Sequence, residues 1–292
     1  MTLTLDIVLS GLVLGGMYAL VALGLTLQYG VARIMNLSYG EFLIAAAFSA
    51  LFMFTGMSVN PILGLLVIVP ASFATNWVLY QVVLMPLVKR AKNQGMLEVD
   101  SILGTFGVLF VIQGIMLVIF GGSLQSYSYL SVPVYIFGTT LAANRILALG
   151  FALLIGFLLY LLLTRTRFGT ALRAVAVNPD SAPLCGIDIR AASALAFAAG
   201  GAIAGAGGVL ISMFLTFSAA SGVIFTMKAL IVVIMGGVGN MMGALVAGLL
   251  LGISETAVAR LVDPGLTIAV TYALFLSVLL WRPTGLFGRP AR

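Results

Sequence analysis

Histidine is absent from the 292-residue chain, and cysteine occurs once, at Cys185. The first absence excludes imidazole acid–base chemistry, haem ligation and histidine-based metal sites. The second excludes an internal disulfide and any cysteine-cluster metal site, so no metal ligands are expected. Charge is scarce as well: Asp, Glu, Lys and Arg make up 8% of the residues, where soluble chains carry about 25%. No Gly-Lys pair occurs anywhere, so the phosphate-cradling loop that ends in Gly-Lys-Ser/Thr is missing. If ATP drives this protein, another subunit binds it.

What is present is apolar. Hydrophobic residues make up 62% of the chain, against about 45–50% in soluble proteins. Charge-free runs cover 7–32, 42–88, 101–144, 146–164, 191–227, 229–254 and 264–281. A bilayer core about 30 Å thick takes about 20 apolar residues per helix. The chain therefore reads as an all-α polytopic membrane protein. About nine transmembrane helices are expected, near 7–29, 42–57, 62–86, 101–121, 146–164, 193–215, 222–240, 242–260 and 265–281. Eight or ten remain open, because the glycine-broken stretch around 236–243 could be re-entrant. Residues 1–292 form a single transmembrane domain, whose longest inner loop is 165–192. The start, Met1 to Asp6, has no basic region, so it is not expected to be a cleaved signal.

The net charge of +6 does not point to nucleic acid, because no basic patch is interleaved with exposed aromatics. The cations sit instead at the ends of apolar runs. In the nine-helix layout eleven of the fourteen fall in inner loops: Arg33, Lys89, Arg90, Lys92, Arg165, Arg167, Arg173, Arg190, Arg282, Arg289 and Arg292. Arg145 and Arg260 fall outside, and Lys228 lies within a span. That bias places the N-terminus outside and the C-terminus in the cytoplasm.

Four features are candidates for function. A lysine within a span costs about 2.5–3.5 kcal/mol on insertion scales, and Lys228 is expected to pair with Glu255 at similar depth on the next helix. The alternative is that each reaches separately for the outer headgroups. Asn36-Leu-Ser-Tyr-Gly-Glu41 is a polar break between the first two spans. It reads either as lining of a translocation path, with Asn36, Ser38, Gly40 and Glu41 exposed to it, or as an inner turn with Glu41 in the first turn of the second helix. Gly236, Gly237, Gly239 and Asn240 form a similar break, a path constriction or a turn. In loop 165–192, Ala171 to Val177 should form a short helix, stopped at Asn178-Pro179 and followed by a segment closing at Gly186. Its partly apolar helix suits docking into another protein; lying on the lipid surface is the alternative. Glycines at four-residue spacing, Gly11/Gly15, Gly201/Gly205, Gly239/Gly243 and Gly248/Gly252, read as tight helix packing.

Four ordered motifs carry a resemblance. The stretch Gly16 to Phe42, including Asn36-Leu-Ser-Tyr-Gly-Glu41, resembles the opening of LivH-type permeases, the inner-membrane subunits of branched-chain amino acid ABC importers. Arg173-Ala-Val-Ala-Val-Asn-Pro-Asp180, continuing to Ile187, resembles that family's coupling loop. Lys228 to Gly243 with Gly252-Ile-Ser-Glu255 resembles its late glycine-rich signature, and Arg282-Pro-Thr-Gly-Leu-Phe-Gly288 its ending. Many relatives have Ala-His where this chain has Ser38-Tyr39.

The resemblance implies a permease architecture similar to the vitamin B12 importers. It also implies a LivM-type second permease, two cytoplasmic ATPases that bind ATP and Mg, a periplasmic binding protein, and a location in the bacterial inner membrane. It places Leu172, Arg173, Ala174, Val175, Asn178, Pro179, Asp180, Ala182, Leu184 and Gly186 in a groove of one ATPase. The chain itself would catalyse nothing and hold no cofactor. Its cargo would be branched-chain or related hydrophobic amino acids, although importers of urea, amides and aromatic acids share the family. An ion-coupled secondary carrier is the reading from another class. Such carriers usually use intramembrane acidic residues, and Glu255 is the one found within the expected spans.

Overall fold

A computed structural model describes residues 2–91, 93–136 and 139–288. Lys92, Arg289 and Arg292, counted above among the inner cations, lie outside the described residues. The chain is almost entirely helical: α1 Thr2–Ala32, α2 Tyr39–Met57, α3 Pro61–Leu79, α4 Met85–Arg90, α5 Gln94–Phe120, α6 Ala143–Arg165, α7 Arg167–Val177, α8 Ile189–Ser212, α9 Gly222–Gly236, α10 Met241–Leu261 and α11 Thr267–Trp281. A π-helical turn, Tyr80–Leu84, joins α3 to α4 in one continuous rod. Pro86 explains it, since proline has no N–H for the carbonyl one turn back and its ring crowds that carbonyl. The one described sheet is the antiparallel pair of β1 Pro133–Ile136 and β2 Thr139–Ala142.

Several helix starts carry a side-chain cap. Asn60 accepts from the Ile62 N–H at 2.9 Å and Asn93 from the Met96 N–H at 2.8 Å. Asp188 accepts from Arg190 N–H at 2.8 Å, and Asn240 from Gly243 N–H at 3.0 Å. The Asn93 cap starts α5 seven residues before the expected 101, and the charged Glu98 and Asp100 ride on its first turns. Tyr39 likewise starts α2 ahead of the expected 42.

Among the described residues eight helices are long and apolar enough to cross a membrane. The expected span at 222–240 is shorter than drawn. Its helix, α9, has 15 residues, about 22 Å at 1.5 Å per residue, less than the hydrocarbon core. Both α8 and α10 run antiparallel to α1: Gly200 packs on Gly24, and Gly248 and Gly252 pack on Ala19 and Gly15. The chain from Met213 to Asn240 therefore joins the far end of α8 to the near end of α10. Irregular backbone supplies the length that α9 lacks. Phe217 and Ala219 there are fully buried, and Phe217 exchanges both backbone hydrogen bonds with Gln125, at 2.8 and 3.0 Å. Non-helical backbone at such depth persists only when protein covers it.

The core centres on α8, whose residues are almost all buried, with α1, α2 and α3 around it. The glycine pairs explain how the backbones meet. A Cβ at Gly11 would stand 2.8 Å from the Ile253 Cα, and one at Gly15 2.8 Å from the Leu249 Cα, so only hydrogen fits between α1 and α10. Gly201 and Gly205 admit Asn76 and Ser72 of α3 in the same way, and Gly243 admits Gly236. By contrast α5 and α11 leave most of their apolar surface uncovered.

Candidate functional site

One polar cluster joins α1, α9, α10 and α11. Lys228 Nζ lies 2.8 Å from Glu255 Oε2 and 2.6 Å from the Tyr18 hydroxyl. That hydroxyl donates to the same carboxylate oxygen at 2.8 Å, and Thr271 donates to the other. The ammonium also sits 4.6 Å from the centre of the Tyr18 ring. Each oxygen of Glu255 thus has a donor, the condition under which a buried pair holds. Tyr18 and Thr271 carry no charge signal and escaped the sequence reading.

A second polar centre surrounds the break after α1. Asn36 donates to the Gln28 side-chain oxygen at 3.1 Å and accepts from the Ser38 hydroxyl at 2.7 Å; Gln28 donates in turn to the Phe197 carbonyl at 2.8 Å. Leu37 N–H meets Thr105 at 3.1 Å, and Gly40 N–H meets Thr226 at 2.8 Å. The Tyr39 hydroxyl donates to the Val21 carbonyl at 2.8 Å. The break is therefore knotted to α5, α8 and α9. Asn36, Ser38, Gly40 and Glu41 are buried inside the protein in this conformation. Glu41 differs from the rest, because neither of its buried oxygens has a hydrogen-bond partner.

The third centre lies at the face where α1 ends. The turn from Gly237 to Asn240 is strapped by the C-terminal segment. Leu286 N–H donates to the Met235 carbonyl at 2.8 Å, Phe287 N–H to the Gly236 carbonyl at 3.1 Å, and Asn240 donates to the Phe287 carbonyl at 2.9 Å. A cavity of about 920 Å³ opens beside this strap, with Tyr29, Arg33, Tyr160, Arg173, Gly239 and Asn240 on its walls. Gly236 and Gly237 are buried behind it.

Loop 165–192 forms the cavity's other wall. Thr166 caps α7 by accepting from Gly169 N–H at 3.0 Å. Gly169, Leu172 and Val175, three apart and so on one face, pack inward on the core. Asn178 folds back to accept from Asp180 and Ser181 N–H, both at 3.2 Å, and Gly186 closes the segment with a left-handed φ of 73°.

The sequence of the chain from 7 to 279 matches the family described as branched-chain amino acid transport system, permease component. The chain belongs to this family. Its relatives include the high-affinity branched-chain amino acid transport system permease protein BraD of Pseudomonas aeruginosa, 27% identical, the alignment covering 96% of this chain and 94% of the relative. The LivH permease protein of Escherichia coli K12 is 29% identical with the same coverage. A probable LivH permease of Methanocaldococcus jannaschii is 28% identical over 95% of this chain and 90% of its own. No solved structure matches the chain.

In this permease the residues assigned to an ATPase groove fall into two sets. Leu172, Val175 and Ala182 are buried in the permease's own core and offer nothing to a partner. Arg173, Asn178, Asp180, Leu184 and Gly186 face outward, with Ala174 and Pro179 between the two. Leu184 is 88% exposed and Val177, which the sequence reading did not single out, 77%. The path candidates divide likewise: Gly239 and Asn240 stand on the cavity wall, and the other six are enclosed.

Proposed function

We propose that this permease is the translocation subunit of an ABC importer that carries branched-chain or related hydrophobic amino acids across the bacterial inner membrane. Cytoplasmic ATPases supply the work, a second, LivM-type permease completes the pathway, and a periplasmic protein delivers the substrate. The observation that carries this reading is the end-to-end match to permeases named for that transport, from residue 7 to residue 279. The chain's lack of any Gly-Lys pair agrees with ATP being bound elsewhere.

Charge supports the orientation. Arg33, Arg173 and Asn240 share the cavity at one face, near the basic Arg165, Arg167 and Arg190 of the loop. Arg260 lies at the other face, paired with Asp6 at 3.3 Å. With the basic face inward, α7 and the cavity meet the ATPases and the start of α1 is periplasmic. The exposed Arg173, Val177 and Leu184 are then the docking contacts, the buried Leu172 and Val175 hold α7 on the permease, and motion of one permease against the other opens the path.

Gentle extraction of the tagged chain from its native membrane tests this. Two ATPases, a second permease and a binding protein that takes up leucine, isoleucine or valine are the expected companions. A chain that purifies alone and transports in proteoliposomes without ATP would be a secondary carrier, and the reading would fail.

A further inference from the structure

Glu41 is fully buried, and both carboxylate oxygens lack a hydrogen-bond partner. Few arrangements leave an acid in that state, because an unpaired buried carboxylate is costly. Its surroundings show what offsets it. Glu41 stands in the first turn of α2, and its carboxylate rests against Gly222, the first residue of α9, so closely that a Cβ there would collide with all three carboxylate atoms. The first N–H groups of a helix carry the positive end of its dipole. Those of α2 are taken, Gly40 N–H by Thr226 and the N–H groups of Glu41 and Phe42 by the Ser38 carbonyl, which leaves the start of α9. Glu41 thus sits where the start of α2 meets the N-terminus of α9. Among the described residues no cation forms an ion pair with it, and Lys228, farther along α9, is engaged by Glu255.

The position within the fold matters as much as the charge. The helix α9 is shorter than the spanning helices, and its first residue, Gly222, is buried beside Glu41, after the irregular segment that ends at Ser221. Ser218 and Ser221 hold that segment, with the Ser218 N–H donating to the Ser221 hydroxyl at 3.0 Å. Thr226, one turn into α9, bonds the Gly40 N–H and so fixes the two helix starts together. A buried helix N-terminus inside a membrane bundle is a ready receptor for an anionic group.

We infer that the N-terminus of α9, set against the start of α2, is a carboxylate-binding site, closed in this conformation by Glu41, and that the carboxylate of an amino acid replaces Glu41 there when the path opens. The proposal rests on the amino acid reading above. It explains why the acid has no partner of its own: the receptor is built of backbone, and Glu41 fills it without the hydrogen bonds a mobile carboxylate could adjust to make. The glycine at 222 keeps the helix end bare enough for an oxygen to approach.

The test uses the purified permease with its partner subunits in lipid nanodiscs. It measures direct binding of L-leucine and of L-leucinamide, which keeps the ammonium and side chain but has no carboxylate. Glu41→Gln removes the competing charge and should tighten leucine binding about tenfold, the weight of a buried helix-end charge, and leave leucinamide unchanged. Glu41→Asp, with the charge drawn back by one methylene, should tighten leucine less; if the Gln variant does not assemble, this variant decides. Equal effects on both ligands, or none on either, overturn the carboxylate site while leucine transport by the unaltered complex stands. A wild-type complex that neither binds nor transports leucine removes the amino acid reading itself, and the site with it.

Discussion

Lys228 and Glu255 lie 27 residues apart in sequence and 2.8 Å apart in space, with Tyr18 from the first helix bonded to both. The cluster ties the short helix α9 to α1 and α10, and Thr271 adds α11. Removing one member of a buried pair leaves the other charged and unpaired, at about 3–5 kcal/mol. Lys228→Met or Glu255→Gln alone should therefore lower the thermal unfolding midpoint of the solubilised protein sharply, while the double variant recovers most of the loss. A double variant as unstable as the singles would refute the pairing as the source.

Tyr18→Phe isolates the hydroxyl. It removes one donor to Glu255 and one acceptor for Lys228 and keeps the ring under the ammonium. A loss of about 1.5–3 kcal/mol is expected for hydrogen bonds to charged groups, read by denaturant titration in detergent.

The outward and inward residues of loop 165–192 should respond differently. Arg173→Glu and Leu184→Asp alter outward-facing residues and should leave insertion and stability intact while uncoupling ATP hydrolysis from uptake in the reconstituted complex. Leu172→Ala empties a fully packed site and should cost about 2–5 kcal/mol in stability. Normal coupling in both outward variants would remove loop 165–192 from the docking role.

Glycines of the α1–α10 crossing have no room for a methyl group. Gly252→Ala would push a Cβ into the Gly15 backbone and separate the helices, so assembly should fail in a blue-native gel. Gly107→Ala and Gly114→Ala on α5 meet nothing within 4 Å and should leave the same gel unchanged. A tolerated Gly252→Ala would mean that the crossing relaxes at little cost.

Gln28 has no charge to attract notice, yet its side chain bridges Asn36 and the Phe197 carbonyl. Gln28→Leu leaves both groups buried without this partner, at about 1–3 kcal/mol each. Accelerated hydrogen exchange at residues 33–38 is the expected signature.

Much of this protein was legible before any coordinates. Apolar runs of fixed minimum length, separated by charge, are imposed by the thickness of the bilayer, and they located the long helices. The same logic singled out Lys228 and Glu255, because a charge inside an apolar run has few tolerable explanations. Boundaries drifted where charges sit inside helices, as Glu98 and Asp100 do in α5, since a charge-free run marks the hydrocarbon and not the helix. Nor could composition foresee that α9 stops at 15 residues. The apolar character of Met213–Ala219 suits buried irregular backbone as well as helix, and only its pairing with Gln125 distinguishes them.

By itself, then, the sequence determined the solvent, the helical class and the family, because these depend on composition and on motifs read in order along the chain. Tertiary structure decided which polar groups meet. Tyr18 with Lys228, Gln28 with Phe197, Glu41 with Gly222, and the inward turn of Leu172 and Val175 all depend on helix rotation and crossing. A sequence period fixes the residues that share a face of a helix. Only packing against neighbours selects the face turned inward, and that is where the candidate sites are made.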